Sequence, residues 1–246
     1  MPRHAQRLSD LPRLRGTLKL DRVLLRDTAV EKLREFIGSG LIPEGTKISE
    51  REVSQMLGIS RMPARDALIT LEHEGLVENR SDGRYVIQLT ESDVRNFLQV
   101  RAALERVAAR LAARNMNEEG RALLLSRLHD LEDAAALKDP KLCAKRDIAL
   151  HQAIWEQARN PQLLRMLQSM MGVILVLTLR VDIFGDGDAQ QLLNDHRGLV
   201  DIILSGDAEA AGRALEEEIE TNATADALRT FHVPEHRAEE GPQHSE

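Results

Sequence analysis

The side chains best suited to chemistry in this chain fall into a histidine–carboxylate set and an arginine set. In "RDIALHQAI", Asp147 and His151 stand four residues apart, so on a helix both leave one face about one turn from each other. An oxygen and a nitrogen donor so placed make half of a metal site, although a plain surface hydrogen bond fits the same spacing. His196, in "NDHRGLV", falls near the start of a later helix, and Glu218 lies on the last one. The arginine set is in "SRMPARDAL", where Arg61 and Arg65 open a helix with Pro63 between them. A guanidinium forks onto a guanine edge or a phosphate in a way that lysine does not. The chemistry expected there is nucleic-acid recognition, with a solvated helix face as the bland alternative. Arg51, opening the preceding helix, is a further candidate for a DNA contact or a salt bridge to Glu52 or Glu74.

These residues need elements to position them. Val30, Leu33 and Ile37 follow the helical period from about Arg26 to Ser39, and "GSGLIPEG" ends that helix. Ser49 followed by Glu52 is a capping box, and Gly58 closes the helix it begins. Ser60 can cap the next helix, with Pro63 in the first turn, where a missing N–H costs little. Ala64, Ala67, Leu68 and Leu71 then face inward, leaving Arg61 and Arg65 outward. Two short helices joined by a Gly-containing turn make a helix-turn-helix. "GLVENRSDGRYVIQL" adds a β-hairpin wing, with its turn at Ser81-Asp82-Gly83 and with Arg80 and Arg84 flanking the tip. From Glu91 onward the chain reads as six amphipathic helices, at 92–115, 117–137, 139–159, 161–184, 189–205 and 207–230, able to bury one core as a bundle. The fold class expected is mainly α.

The domain boundaries expected are a basic arm over 1–19, a winged helix-turn-helix over 20–89, a helical domain over 90–232 and a disordered tail over 233–246. The arm is a solvated tail or touches DNA through Arg3, Arg7, Arg13 and Arg15. A net charge of −7 argues only superficially against nucleic acid. Residues 1–89 carry 15 Lys and Arg against 13 Asp and Glu, a surplus of +2, and the remainder carries 18 against 27, or −9. What matters is a local basic face. The single Cys143 excludes an internal disulfide framework and suits a reducing cytoplasm. "MGVILVLTL" is too short to cross a membrane, and the N-terminus lacks an export signal. There is no Gly-rich phosphate loop, nucleophile elbow or zinc-type Cys pair. "GDGDA" lacks the spacing of a calcium loop and reads as a turn. Trp155 is a core residue or lines a cavity.

"KISEREVSQMLGISRMPARDALITLEHEGLVENRSDGRYV" resembles the winged helix-turn-helix of GntR-family bacterial transcription regulators. "VRAALE", "DIALHQAIWEQARNPQLL" and "HRGLVDIILSGDAEAA" resemble the ligand-sensing FCD domain of the FadR-like branch. Together these cover about residues 25 to 230. The resemblance implies a cytoplasmic homodimer, a repressor by family habit, on a palindromic double-stranded DNA operator. By position it makes Arg51, Ser60, Arg61, Arg65 and Gly83 DNA-binding residues. It implies a cavity in which a divalent metal such as zinc, nickel or manganese, held by one Asp and three His, receives a small carboxylic acid. Asp147, His151 and His196 match the first three ligands. Glu218 stands where the fourth histidine is expected, with Asn222 one turn later; glutamate can ligate these metals and hardens the site, but adds negative charge beside an anionic effector. Arg101 and Arg180 are candidate effector-binding cations, or structural ion-pair partners. Two other readings stay open: a bundle that only dimerises, and a metal-dependent enzyme, for which no base or nucleophile is evident.

Overall fold

The computed structural model describes the backbone of residues 17–180 and 189–223, and side chains within 24–179 and 190–221. The expected arginine contacts of the N-terminal arm, the "GDGD" turn and the tail lie outside the described residues. The chain is mainly α, and its packing divides it into two units. One comprises residues up to Gln88 together with Gln168–Val176, the other Leu89–Leu167 and the chain from Leu177.

In the first unit, α1 (Thr17–Gly38) begins well before the expected Arg26. Val30, Leu33 and Ile37 on its inner face are buried against the apolar side of α3 (Arg61–His73), where Ala64, Ala67, Leu68 and Leu71 are fully buried. Between them α2 (Glu50–Leu57) starts at the capping box. The Glu52 N–H donates to Ser49 Oγ at 3.3 Å, and the Ser49 N–H donates to Glu52 Oε2 at 2.9 Å. Gly58 closes α2 in the left-handed conformation, and Ser54 Oγ donates to the Ile59 carbonyl at 2.6 Å, which pins the turn into α3. The wing strands β2 (Val77–Arg80) and β3 (Gly83–Val86) pair antiparallel. A short strand not anticipated from sequence, β1 (Lys47–Ile48), pairs with β3 on its other side, giving the order β1-β3-β2.

The second unit contains α4 (Glu91–Asn115), α5 (Glu118–Ala136), α6 (Pro140–Gln157), α7 (Pro161–Ser169) as far as Leu167, α9 (Ala189–Ser205) and α10 (Ala208–Glu217), the last continuing as a π-helical turn over Glu218–Ala223. Thr90 with Asp93, Asn117, Asp139 and Asp207 cap four of these starts through side-chain oxygens. α4 is the central element, packed on α6, α9 and α10. Buried Ala108, Ala109 and Ala112 on α4 and Ala208, Ala211 and Gly212 on α10 let those helices approach closely.

The single helix expected over 161–184 does not form. It breaks at Met170 into α7 and α8 (Met171–Arg180). α7 is amphipathic, burying Leu163 and Leu167, whereas α8 is apolar nearly all round, with Met171, Val173, Ile174, Val176 and Leu177 buried. A helix apolar on every side needs burial on every side, and the segment through Val176 finds it in the first unit, where Val176 joins the core. Gly172 permits this: a Cβ there would lie 2.5 Å from Leu76 Cγ and 2.9 Å from the Glu74 carbonyl oxygen. Among the described residues, no single helix is long and apolar enough to cross a membrane.

Candidate functional site

α6 presents Asp147 and His151 on one face, α9 brings His196, and the first residue of the π-helical turn is Glu218. The structure gathers all four. Single ligand atoms of Asp147, His151 and His196 lie within 4.8 Å of one another. Nε2 of His151 is 3.7 Å from Asp147 Oδ1 and 3.5 Å from Glu218 Oε1. Nε2 of His196 is 2.6 Å from Asp147 Oδ1 and 3.6 Å from Glu218 Oε1. The imidazoles are buried, and the two carboxylate side chains are only 13% and 15% exposed. The side chain of Asn222 lies outside the described residues.

What orients the imidazoles was not anticipated from sequence. Glu105 of α4 is fully buried and accepts from His151 Nδ1 at 2.7 Å, from Trp155 Nε1 at 2.9 Å and from Arg101 Nε at 2.6 Å. Nδ1 of His196 donates to the Leu192 carbonyl at 2.8 Å. With both Nδ1 atoms engaged, both Nε2 atoms point among the carboxylates. An acceptor behind each ring in this way fixes the tautomer and orientation of a metal-ligating histidine. The buried Nε2 of His196 has no aligned hydrogen-bond partner despite its closeness to Asp147. A nitrogen lone pair held that near a carboxylate oxygen is repulsive unless a proton lies between them or a metal ion draws both donors onto itself. These residues therefore fit a divalent metal. The sequence signal for Glu105 was its position four residues after Arg101, which reads equally as a helix-surface ion pair.

Burial disfavours charge on every member of this cluster, and the neighbours override it. Against burial, contact with His196 and the nearby positive charges bring Asp147 down to about 2. Arg101, His151 and Trp155 likewise bring Glu105 down to about 2. Glu218, also opposed by burial, is held below the usual carboxylate range by His196 and His151. Burial would depress His196, but Glu218 and Asp147 raise it to about 9, and Glu105 and Glu218 carry His151 well above 6.5. Without a metal the imidazoles keep their protons, and a metal ion coordinated by both replaces them. Arg101, expected as a free cation for an effector or as an ion-pair partner, is in an ion pair with Glu105 through Nε. The side chain of Arg180 lies outside the described residues.

In the first unit Arg61 is the first residue of α3 and Arg65 lies one turn on, both exposed. Arg65 is 3.8 Å from Glu50, a loose surface pair, while Arg51 and Arg61 form no salt bridge among the described residues. The acids considered for Arg51 are engaged elsewhere: Glu52 in the capping box, and Glu74 by Arg34, whose Nε donates at 2.8 Å. Ser60 holds the N-cap position, but its hydroxyl makes no capping hydrogen bond. Gly83 opens β3 at φ +144°, beneath Lys47, whose Cε would lie 2.8 Å from a Cβ there. Arg80 pairs with Glu78 and lies 4.5 Å from the Tyr85 ring centroid. Arg84 does not reach the wing tip. It turns inward to Glu72 of α3 at 3.2 Å and Glu50 of α2 at 3.5 Å, because those two helices place acids behind it.

Comparison with known proteins agrees with this architecture. Residues 25–87 match the bacterial regulatory proteins of the gntR family, and residues 96–221, more than half of the chain, match the FCD domain. The chain belongs to the GntR family of transcription regulators, in the branch with an FCD domain. It is 31% identical over 201 residues to a probable D-xylose utilization operon transcriptional repressor of Paenarthrobacter nicotinovorans, spanning 80% of this chain and 88% of that protein. It is 26% identical over 195 residues to the gluconate operon transcriptional repressor of Bacillus licheniformis, spanning 77% and 79%. Among solved structures the fold matches E. coli McbR/YncC with a TM-score of 0.70 at 18% identity, covering 84% of this chain and 98% of that one. This GntR-family chain is thus a DNA-binding transcriptional regulator.

Proposed function

We propose that this regulator is a repressor that binds a palindromic operator as a homodimer and is controlled by a small metabolite at a divalent metal held by Asp147, His151, His196 and Glu218. The observation that carries the sensing half is the convergence of both anchored Nε2 atoms on two carboxylates in a nearly sealed site. Zinc, nickel and manganese all suit nitrogen and oxygen donors, and the two carboxylates favour the harder ion. When bound, the metal supplies a Lewis-acidic position for a metabolite oxygen. The family resemblance by itself would point to a carboxylic acid, an expectation drawn for a fourth histidine where this chain has Glu218. In the DNA-binding half, Arg61 and Arg65 at the start of α3 enter the major groove, Arg51 and the free hydroxyl of Ser60 meet phosphate, and the turn at Gly83 brings the wing to the backbone. Repression of a carbohydrate-utilization operon is supported by the names of the D-xylose and gluconate relatives.

The test is a fluorescence-anisotropy titration of the full chain against a duplex selected from a random library. It is run after chelation and after loading with manganese, nickel or zinc, with small metabolites added to each. The expected result is operator binding whose response to a metabolite needs the metal, since an effector must bind the two functional states unequally. Operator binding that never responds, with no metal uptake, would reduce the bundle to a dimerisation scaffold.

A further inference from the structure

We infer that the molecule sensed at this site is electrically neutral and binds through hydroxyl oxygens, because Glu218 leaves the metal-loaded cluster with no positive charge to spare among the described residues. The inference rests on metal-dependent sensing at these four residues. Three carboxylates share the cluster: Asp147 and Glu218 facing the imidazole Nε2 atoms, and Glu105 behind His151. Arg101 is the one fixed cation found there among the described residues, and its 2.6 Å bond to Glu105 cancels that pair. Imidazoles that coordinate through Nε2 are neutral ligands. A divalent ion therefore balances Asp147 and Glu218, and the described residues of the loaded cluster sum to zero. A histidine at position 218 would leave it at +1, the charge that an incoming carboxylate neutralises.

The surroundings give an added negative charge nowhere to go. Side-chain exposure is 15% at Glu218, 13% at Asp147, 8% at Arg101 and 3% or less at His151, His196 and Glu105. Water cannot screen an uncompensated anion at such depth. A hydroxyl oxygen brings no charge, is an accepted donor to a hard cation, and carries a proton that Asp147 or Glu218 can accept. The terminal nitrogens of Arg101, which pair with no other carboxylate among the described residues, offer donors to a second hydroxyl. The fitting chemical class is a vicinal diol, as in a neutral sugar or polyol.

The experiment uses the full chain loaded with Mn²⁺, with loading established first by calorimetric titration of the metal alone. Matched probes that differ in having a carboxylate or a hydroxymethyl end are then compared by calorimetry and thermal midpoint: xylitol with D-xylonate, D-glucitol with D-gluconate, and 1,2-propanediol with L-lactate. At least one neutral member should bind more tightly than its acid. Glu218→His, and the nearly isosteric Glu218→Gln, should shift that order toward the acid by about tenfold or more, since each adds one positive charge to a site where every 1.4 kcal/mol is tenfold. A wild-type protein that takes up Mn²⁺ but prefers the acids, or binds no neutral probe, overturns the inference. Failure to take up Mn²⁺ at all overturns the metal reading beneath it, a distinct signature seen before any probe is added.

Discussion

Glu105→Gln removes one charge and almost no volume from the point where the site is most tightly tied. The carboxylate accepts from Arg101 Nε, His151 Nδ1 and Trp155 Nε1 at 2.6, 2.7 and 2.9 Å. A glutamine offers one acceptor oxygen and a donor amide, so at least one of the three donors faces another donor. Its neutrality also strands the buried guanidinium of Arg101. Breaking a buried pair in this way costs about 3–5 kcal/mol, against about 0–1 for an exposed one. For a chain of this size that corresponds to a fall of about 6–20 °C in the melting midpoint. The more specific effect is on the metal. His151 loses the acceptor that holds its Nδ1 proton, so Nε2 is no longer fixed as the free lone pair, and metal affinity should fall by about 10- to 100-fold. Trp155, the single tryptophan, donates to the same carboxylate, so its fluorescence reads both unfolding and metal titration in one sample. A folded Glu105→Gln protein with wild-type metal affinity would refute the orienting role assigned to Glu105.

Further outcomes follow from the same geometry. Arg61→Ala with Arg65→Ala should weaken binding to the selected duplex by about 1–3 kcal/mol for each arginine that reads a base edge, measured by anisotropy at fixed salt; unchanged affinity would move recognition off α3. In the metal-free protein His196 is raised from 6.5 to about 9, so its stabilisation is complete below about pH 6.5 and is lost as pH rises through 9. Asp147 and Glu105, depressed to about 2, contribute fully above about pH 4 and lose their contribution only as pH falls through 2. Melting midpoints of chelated protein should therefore decline from pH 6.5 to 9, while metal affinity climbs over the same range as protons cease to compete. A chelated midpoint that rises with pH there would contradict the assignment. Gly172→Ala places a methyl against Leu76 and the Glu74 carbonyl and should cost about 1–3 kcal/mol by overpacking, read in a denaturant melt; a neutral effect would mean that α8 shifts freely.

Local rules carried the reading of the first unit a long way. The Ser49–Glu52 capping box, Gly58 and the spacing of Ala64, Ala67, Leu68 and Leu71 are each written within a few residues, and each appears in the structure as a bond, a left-handed residue or a buried face. The same locality put Asp147 and His151 on one side of α6, because a helix brings residues four apart together whatever surrounds it. Their meeting with His196 and Glu218 depends on how α6, α9 and α10 pack around α4, so it was available before the structure only through resemblance. Glu105 was missed because an i,i+4 Arg–Glu pair looks alike on a surface and in a core, and only tertiary burial turns it into the anchor of a histidine. Burial likewise converted Arg101 from an available cation into a paired one, and drew Arg84 from the wing tip to Glu50 and Glu72. The break at Met170 has no proline and only Gly172 close by as a local signal; it arises because a helix apolar all round cannot continue along a surface that suits an amphipathic one. Sequence determined which faces are apolar, where the capped helices begin and which residue types carry charge. Tertiary structure decided which of those charges share a sealed space, because pairing across elements is set by packing over separations that local periodicity does not reach.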